Sequence, residues 1–242
     1  MELFVRGSLT RREVMGGFLL TGAALVATGC QSGGTRGWSP IGPRADRPGP
    51  LLGPTPALKP EPRVVERPTA RTITIQPRSA WTRAGPRRWL ADPMHGVSRI
   101  TVHHDGMPPV PLRGRADVTR RIESIRRSHV AKGWADIGYH YVIDPFGRVW
   151  QARPVSLQGA HVKYHNPHNL GIMVLGNFEV QRPTPAALAS VDAFVTDRMR
   201  AYGIPLARVY THRELRPTAC PGRNLQRHMV LARGRGGSLV RA

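Results

Sequence analysis

Nine prolines fall between Gln31 and Arg71, with glycines among them and almost no periodic apolar pattern. Proline lacks a backbone N–H and fixes φ, so a stretch this dense in it can enter neither a helix interior nor the middle of a sheet. An extended, partly polyproline tether over 31–71 is expected. The packed core must then come from the residues that follow, and in a chain of 242 residues these are enough for one ordinary domain.

From about residue 72 the pattern changes. Thr72–Ile75 and Ser98–His104 alternate as strands, and Asp117 can cap a helix to about Lys132 with Val118, Ile122, Ile125, His129 and Val130 on one stripe. Strands over Tyr139–Asp144 and Val149–Arg153 meet at the turn Pro145-Phe146-Gly147. Leu170–Leu175 is continuously apolar, as a central strand would be. Thr184-Pro185 opens a helix through about Tyr202, proline being harmless in a first turn. A strand over Leu206–Tyr210 and a short helix over Asn224–Ala232 follow. The end, 233–242, is rich in Gly and Arg and is expected to be a loose basic tail. Strands and helices mixed in this order predict a single α/β (α+β) domain over 72–232, a central mixed β-sheet flanked by helices.

Charge and the N-terminus bound the surroundings. Lys and Arg number 36 against 15 Asp and Glu, a net charge of +21, which calls for polyanionic neighbours. Thr10-Arg11-Arg12 precedes an apolar run, Met15 to Ala27, too short for a membrane span of ~20 residues. A basic start and a short apolar stretch read as an export signal over 1–30, similar to the twin-arginine type. The alternative, a buried N-terminal helix, is opposed by the prolines and glycines that follow. Val26-Ala27-Thr28-Gly29-Cys30 resembles a bacterial lipobox with Cys30 acylated, cleavage by an ordinary signal peptidase being the alternative. The expected setting is the cell envelope or periplasm, with attachment to the membrane through a lipid anchor. Nucleic acid is excluded as a partner by that compartment, and a monomer is expected.

If Cys30 carries lipid, Cys220 has no second thiol to pair with. In Ile100–His104, strand parity sets Ile100, Val102 and His104 on one face and Thr101 and His103 on the other. With the apolar pair turned into the core, His103 is the better site candidate. His212 and Cys220 lie eight residues apart across a Pro-bearing loop just after a strand. Imidazole and thiolate are good zinc ligands, and a catalytic zinc takes three protein ligands and leaves a fourth position open. On residue types alone, incidental histidines and a spare thiol remain the competing account.

Several segments carry a resemblance: Ile75–Trp81, Ile100–His104, Gly133–Tyr141, Gly159–His161, Gly171–Phe178 and His212–Gly222. Together, in order and over about residues 73 to 230, they resemble the peptidoglycan recognition proteins and the related type 2 N-acetylmuramoyl-L-alanine amidases, including the phage amidases called lysozymes. The resemblance implies that domain's fold and makes His103, His212 and Cys220 ligands of a Zn2+ ion. It makes Tyr139 and Thr218 accessory catalytic residues, with Thr at 218 as in the recognition-protein amidases rather than the Lys of the phage enzymes. It places His161 near substrate, a surface loop histidine being the alternative. The implied activity is hydrolysis of the amide between the muramic lactyl group and L-alanine of peptidoglycan or muropeptides. Many non-catalytic binders of the family lack the cysteine, so Cys220 favours the enzyme over a muropeptide-binding protein of the same fold. Pro154-Val155 after Arg153 departs from the Gly-Trp of diaminopimelate-selective animal members, so stem-peptide preference does not carry over. Glu214 reads as a hydrogen-bond partner of the ligands, and Asp136 as a partner of the backbone before Tyr139.

Overall fold

The computed structural model describes residues 73–241. The segment expected as an export signal, Cys30 and the Pro-rich stretch lie outside the described residues. Six strands form one sheet in the order β1-β4-β3-β5-β2-β6, with β1 at Ile75–Gln76, β2 at Arg99–His104, β3 at Tyr141–Ile143, β4 at Val149–Gln151, β5 at Asn169–Val174 and β6 at Val209–Thr211. All neighbouring pairs are parallel except β3 with β4, the hairpin expected at Pro145-Phe146-Gly147. Gly147 takes φ +80° there, and the Asp144 carboxylate closes the turn by accepting from the N–H groups of Phe146 and Arg148 at 2.9 and 3.0 Å.

Alternation on the two central strands builds two cores. Ile100 and Val102 of β2 and Leu170, Ile172 and Val174 of β5 face helices α2, Pro185–Tyr202, and α4, Arg223–Arg233, meeting Phe194, Leu225 and Met229. Met173 of β5 and Val142 of β3 face the other way, onto Val118, Ile122 and Ile125 of α1, Arg115–Ala131. Burial on both faces is what the unbroken apolar run over Leu170–Leu175 requires.

Local chemistry sets the helix ends. Thr184 Oγ1 accepts from the N–H of Ala187 at 3.1 Å, Pro185 fills the first position, and Gly203 closes α2 at φ +63°. Helix α1 begins two residues ahead of the expected cap. Gly114 is its N-cap, and Asp117 sits in the first turn, where its carboxylate accepts from the Arg113 N–H at 2.7 Å. The segment expected as a strand from Leu206 begins as a 3-10 turn, Leu206–Arg208. The chain end also packs: Ser238–Arg241 form a 3-10 turn, and Leu239 is buried in the α2–α4 core.

The connection from α1 to β3 is pinned by two neutral imidazoles. His129 Nδ1 accepts from the Gly138 N–H at 3.0 Å; His140 Nδ1 accepts from the Gly171 N–H at 2.9 Å while its Nε2 donates to the Leu157 carbonyl at 3.1 Å. Burial pushes both pKa values down to about 4, opposed at His140 by the bond to Leu157 and assisted at both by the charge of Arg153. The unfolded chain binds these protons near pH 6.5, so between 6.5 and 4 it holds more protons than the native state. Stability is therefore complete above that window and falls as pH drops through it, by up to about 3 kcal/mol for a fully buried imidazole. Thermal unfolding followed by circular dichroism from pH 7.5 to 4 should show this loss, and His140→Gln should flatten it.

Candidate metal centre

Strands β2, β5 and β6 run parallel, so their C-terminal ends open on one edge of the sheet, the side where open α/β sheets bind ligands. His103 stands at that end of β2, on the face opposite Ile100 and Val102 as parity requires, and is fully buried. His212 begins α3, His212–Leu215, immediately after β6, and Cys220 lies on the loop that leads to α4. One donor atom from each of the three falls within 4.8 Å of the others. Cys220 Sγ is 3.5 Å from His103 Nδ1, and the His103 and His212 ring centroids are 4.8 Å apart.

The electrostatics suit ligation by neutral imidazoles and a thiol that must lose its proton. Burial holds the His103 pKa well below the usual imidazole range, and nearby His161, His212 and His104 act in the same sense. Burial, then Arg216 and His104, lower His212. Burial pushes the Cys220 thiol up to about 12, against a bond from the His104 N–H at 3.4 Å and the charge of Arg213. The thiol is thus protonated near neutral pH unless a cation displaces the proton.

Tyr139 closes one side of the group, its ring centroid 5.1 Å from that of His103. Burial first, then the proximity of Cys220 and Asp105, raise the phenol far above its ordinary value, so the hydroxyl keeps its proton and remains a donor. Among the described residues that hydroxyl has no hydrogen-bond partner. Thr218 is exposed on the ligand loop, and its Oγ1 accepts from the Cys220 N–H at 3.2 Å, which orients the cysteine and leaves the hydroxyl proton free. His161 is buried beside His103 rather than on the surface, with His161 Nδ1 3.0 Å from His103 Nε2. All the expected site residues in 73–241 therefore gather on one edge of the sheet.

Two expected partners serve elsewhere. Glu214 completes a capping box with Thr211, accepting from its N–H at 2.8 Å, and pairs with Arg233 and Gln226. Three residues after the N-cap, a glutamate reaches back to the helix start rather than to the imidazole. Asp136 binds no backbone group of its loop; its carboxylate pairs with Arg78 at 2.9 Å. Arg153 does what was expected of Asp136, donating to the carbonyls of Ile137, Asp136 and Gln158 and so bracing the loop before Tyr139. On the far side, Glu179 accepts from Arg213 and from Arg223, tying α3 to α4 across the ligand loop. Gly222 lets that loop lie flat, for at φ +84° a β-carbon would come within 2.3 Å of the Phe178 backbone.

Two histidines and a cysteine thus gather at the strand ends of a mixed sheet flanked by helices. Residues 93–223 match the N-acetylmuramoyl-L-alanine amidase family, and the chain belongs to that family. It is 33% identical over 152 residues to an N-acetylmuramoyl-L-alanine amidase of Sus scrofa, covering 61% of this chain and 25% of that protein. It thus spans about a quarter of the length of that relative. It is 25% identical over 158 residues to peptidoglycan-recognition protein SC1a of Drosophila melanogaster, covering 64% of this chain and 84% of that one. Among solved structures it is similar to wild-type Drosophila PGRP-LB, with 25% identity, a TM-score of 0.59, and coverage of 66% of this chain and 94% of that one. It is also similar to peptidoglycan recognition protein-LE in complex with tracheal cytotoxin, with 26% identity, a TM-score of 0.59, and coverage of 64% and 92%.

Uptake of a divalent ion by this group should release about one proton per ion near pH 7, from the Cys220 thiol. Titration calorimetry in buffers of different ionisation enthalpy measures that release, and Cys220→Ala should abolish it.

Proposed function

We propose that the chain is a zinc-dependent N-acetylmuramoyl-L-alanine amidase. It would hydrolyse the amide between the muramic lactyl group and L-alanine of peptidoglycan or muropeptides. The observation that carries this reading is the convergence of His103, His212 and Cys220 within 4.8 Å. A tetrahedral zinc with bonds of ~2.1 Å to nitrogen and ~2.3 Å to sulfur separates two such donors by about 3.6 Å. The 3.5 Å between Cys220 Sγ and His103 Nδ1 fits that spacing. Membership of the amidase family and the peptidoglycan-recognition relatives support the substrate class.

Zinc held there would supply a Lewis acid for the scissile carbonyl and a bound water with its pKa lowered to about 7. The chain's own residues do the rest. The neutral imidazoles and the thiolate would supply three donors, and the Tyr139 ring lies 5.1 Å from that of His103. The Tyr139 phenol, protonated and without a protein partner, donates to the oxygen on which negative charge develops. Thr218 accepts from the Cys220 N–H and keeps a hydroxyl proton to offer. A non-catalytic muropeptide binder is the second reading, favoured by the neighbour that holds tracheal cytotoxin in the same fold.

The purified protein should contain one zinc per chain and release free stem peptide from muropeptides. Chelation should stop that release, and Cys220→Ser should lose it. Tyr139→Phe should lower kcat by about 10²- to 10³-fold with little change in KM, the cost of one oxyanion donor. Tight muropeptide binding without cleavage after zinc loading would decide for the binder. Export and acylation at Cys30 belong to the same proposal: labelled fatty acid should enter the expressed protein and be lost in Cys30→Ser.

A further inference from the structure

Behind His103 runs a hydrogen-bond chain whose direction is fixed at its far end. The Asn169 main-chain carbonyl can only accept, and His161 Nε2 lies 3.1 Å from it, so the His161 proton is on Nε2. Nδ1 of His161 is then a bare acceptor, and 3.0 Å away it takes the Nε2–H of His103. With its proton so placed, His103 has its free lone pair on Nδ1, the nitrogen 3.5 Å from Cys220 Sγ.

The fold builds a slot for this ring. Gly159 and Gly171 approach it from two different segments, and a β-carbon on either would come within 2.5 and 2.6 Å of His161 Cδ2. Gly171 is the β5 residue in register with Thr101 of β2, and the Thr101 hydroxyl donates to Asn169 Oδ1 at 2.9 Å. The Asn166 side chain accepts from the N–H groups of His161 and Val162 at 2.9 and 2.8 Å, which fixes the loop carrying the ring. Both ring nitrogens are engaged within the protein, so His161 has none to offer a substrate.

We infer that His161 is a positioning residue: relaying the polarity of the Asn169 carbonyl, it locks His103 in the tautomer and orientation that present Nδ1 to the metal. This rests on the metal reading above. Partners of this kind affect metal affinity by about 10- to 100-fold.

The test uses the full chain with zinc and with cobalt(II) as a spectroscopic stand-in. Zinc affinity is measured by competition with a chromophoric chelator, and the cobalt–thiolate absorption reports the ligand geometry. His161→Leu and His161→Ala, which have no acceptor for His103, should weaken zinc by about 10- to 100-fold and change the cobalt spectrum. His161→Gln can accept from His103 with its amide oxygen and donate to Asn169 with its amide nitrogen, and should recover most of both. Wild-type affinity and spectrum in the leucine or alanine variant would overturn the inference. So would equal losses in the alanine and glutamine variants at matched thermal stability, because the effect would then be packing alone. Failure of the wild-type chain to take up either metal would instead sink the metal reading itself, and this inference with it.

Discussion

The six-residue parallel pairing of β2 with β5 holds the site together. Residues from Ile100 to His104 and from Asn169 to Val174 are all buried, and their ladder fixes the depth at which His103 emerges. Because the side-chain period of a strand is two, slipping this register by one residue would turn His103 into the α2–α4 core and expose Ile100 and Val102 to the wrong face. The apolar residues that stabilise the sheet are therefore the same ones that aim the histidine. Parallel pairing with β6 then delivers His212 to the same edge, since strands that run together also end together.

Around that edge, charge is used more for bracing than for display. Among the described residues, several arginines are tied to acceptors of the fold. Arg78 pairs with Asp136, Arg153 with three carbonyls, Arg121 with Asp105 at the end of β2, and Arg213 and Arg223 with Glu179. Arg121 and Arg126 on α1 keep side chains only 12% and 13% exposed in their ion pairs. Arginine suits this work because its planar fork satisfies several acceptors at once without losing its charge. Arg120 and Arg127 remain exposed on the same helix.

What the sequence made legible was whatever short-range chemistry decides. Thr184-Pro185 and Gly203 bracket α2 because caps act within a turn, and the parity of Ile100, Val102 and His103 survives because alternation is local. Three misreadings share one cause. Asp117, Glu214 and Asp136 are carboxylates with several donors within reach, and folding chose a partner that the flanking sequence does not reveal. Asp136 found Arg78, 58 residues away, while Glu214 found the helix cap beside it. Leu239 is one apolar residue in a Gly- and Arg-rich stretch, and only a cavity shaped by α2 and α4 gives it somewhere to go.

By itself the sequence determined the strand and helix pattern, the face that His103 takes, and the set of donors able to hold a metal. It did so because period, caps and residue type are properties of neighbouring residues. Tertiary structure alone decided that donors 117 residues apart stand 3.5 Å from each other. It alone decided that His161 lies behind His103 in a slot between two glycines, one ring nitrogen 3.1 Å from a carbonyl of β5. Those facts depend on which strands pair and in what register, a choice made by the packing of the whole domain.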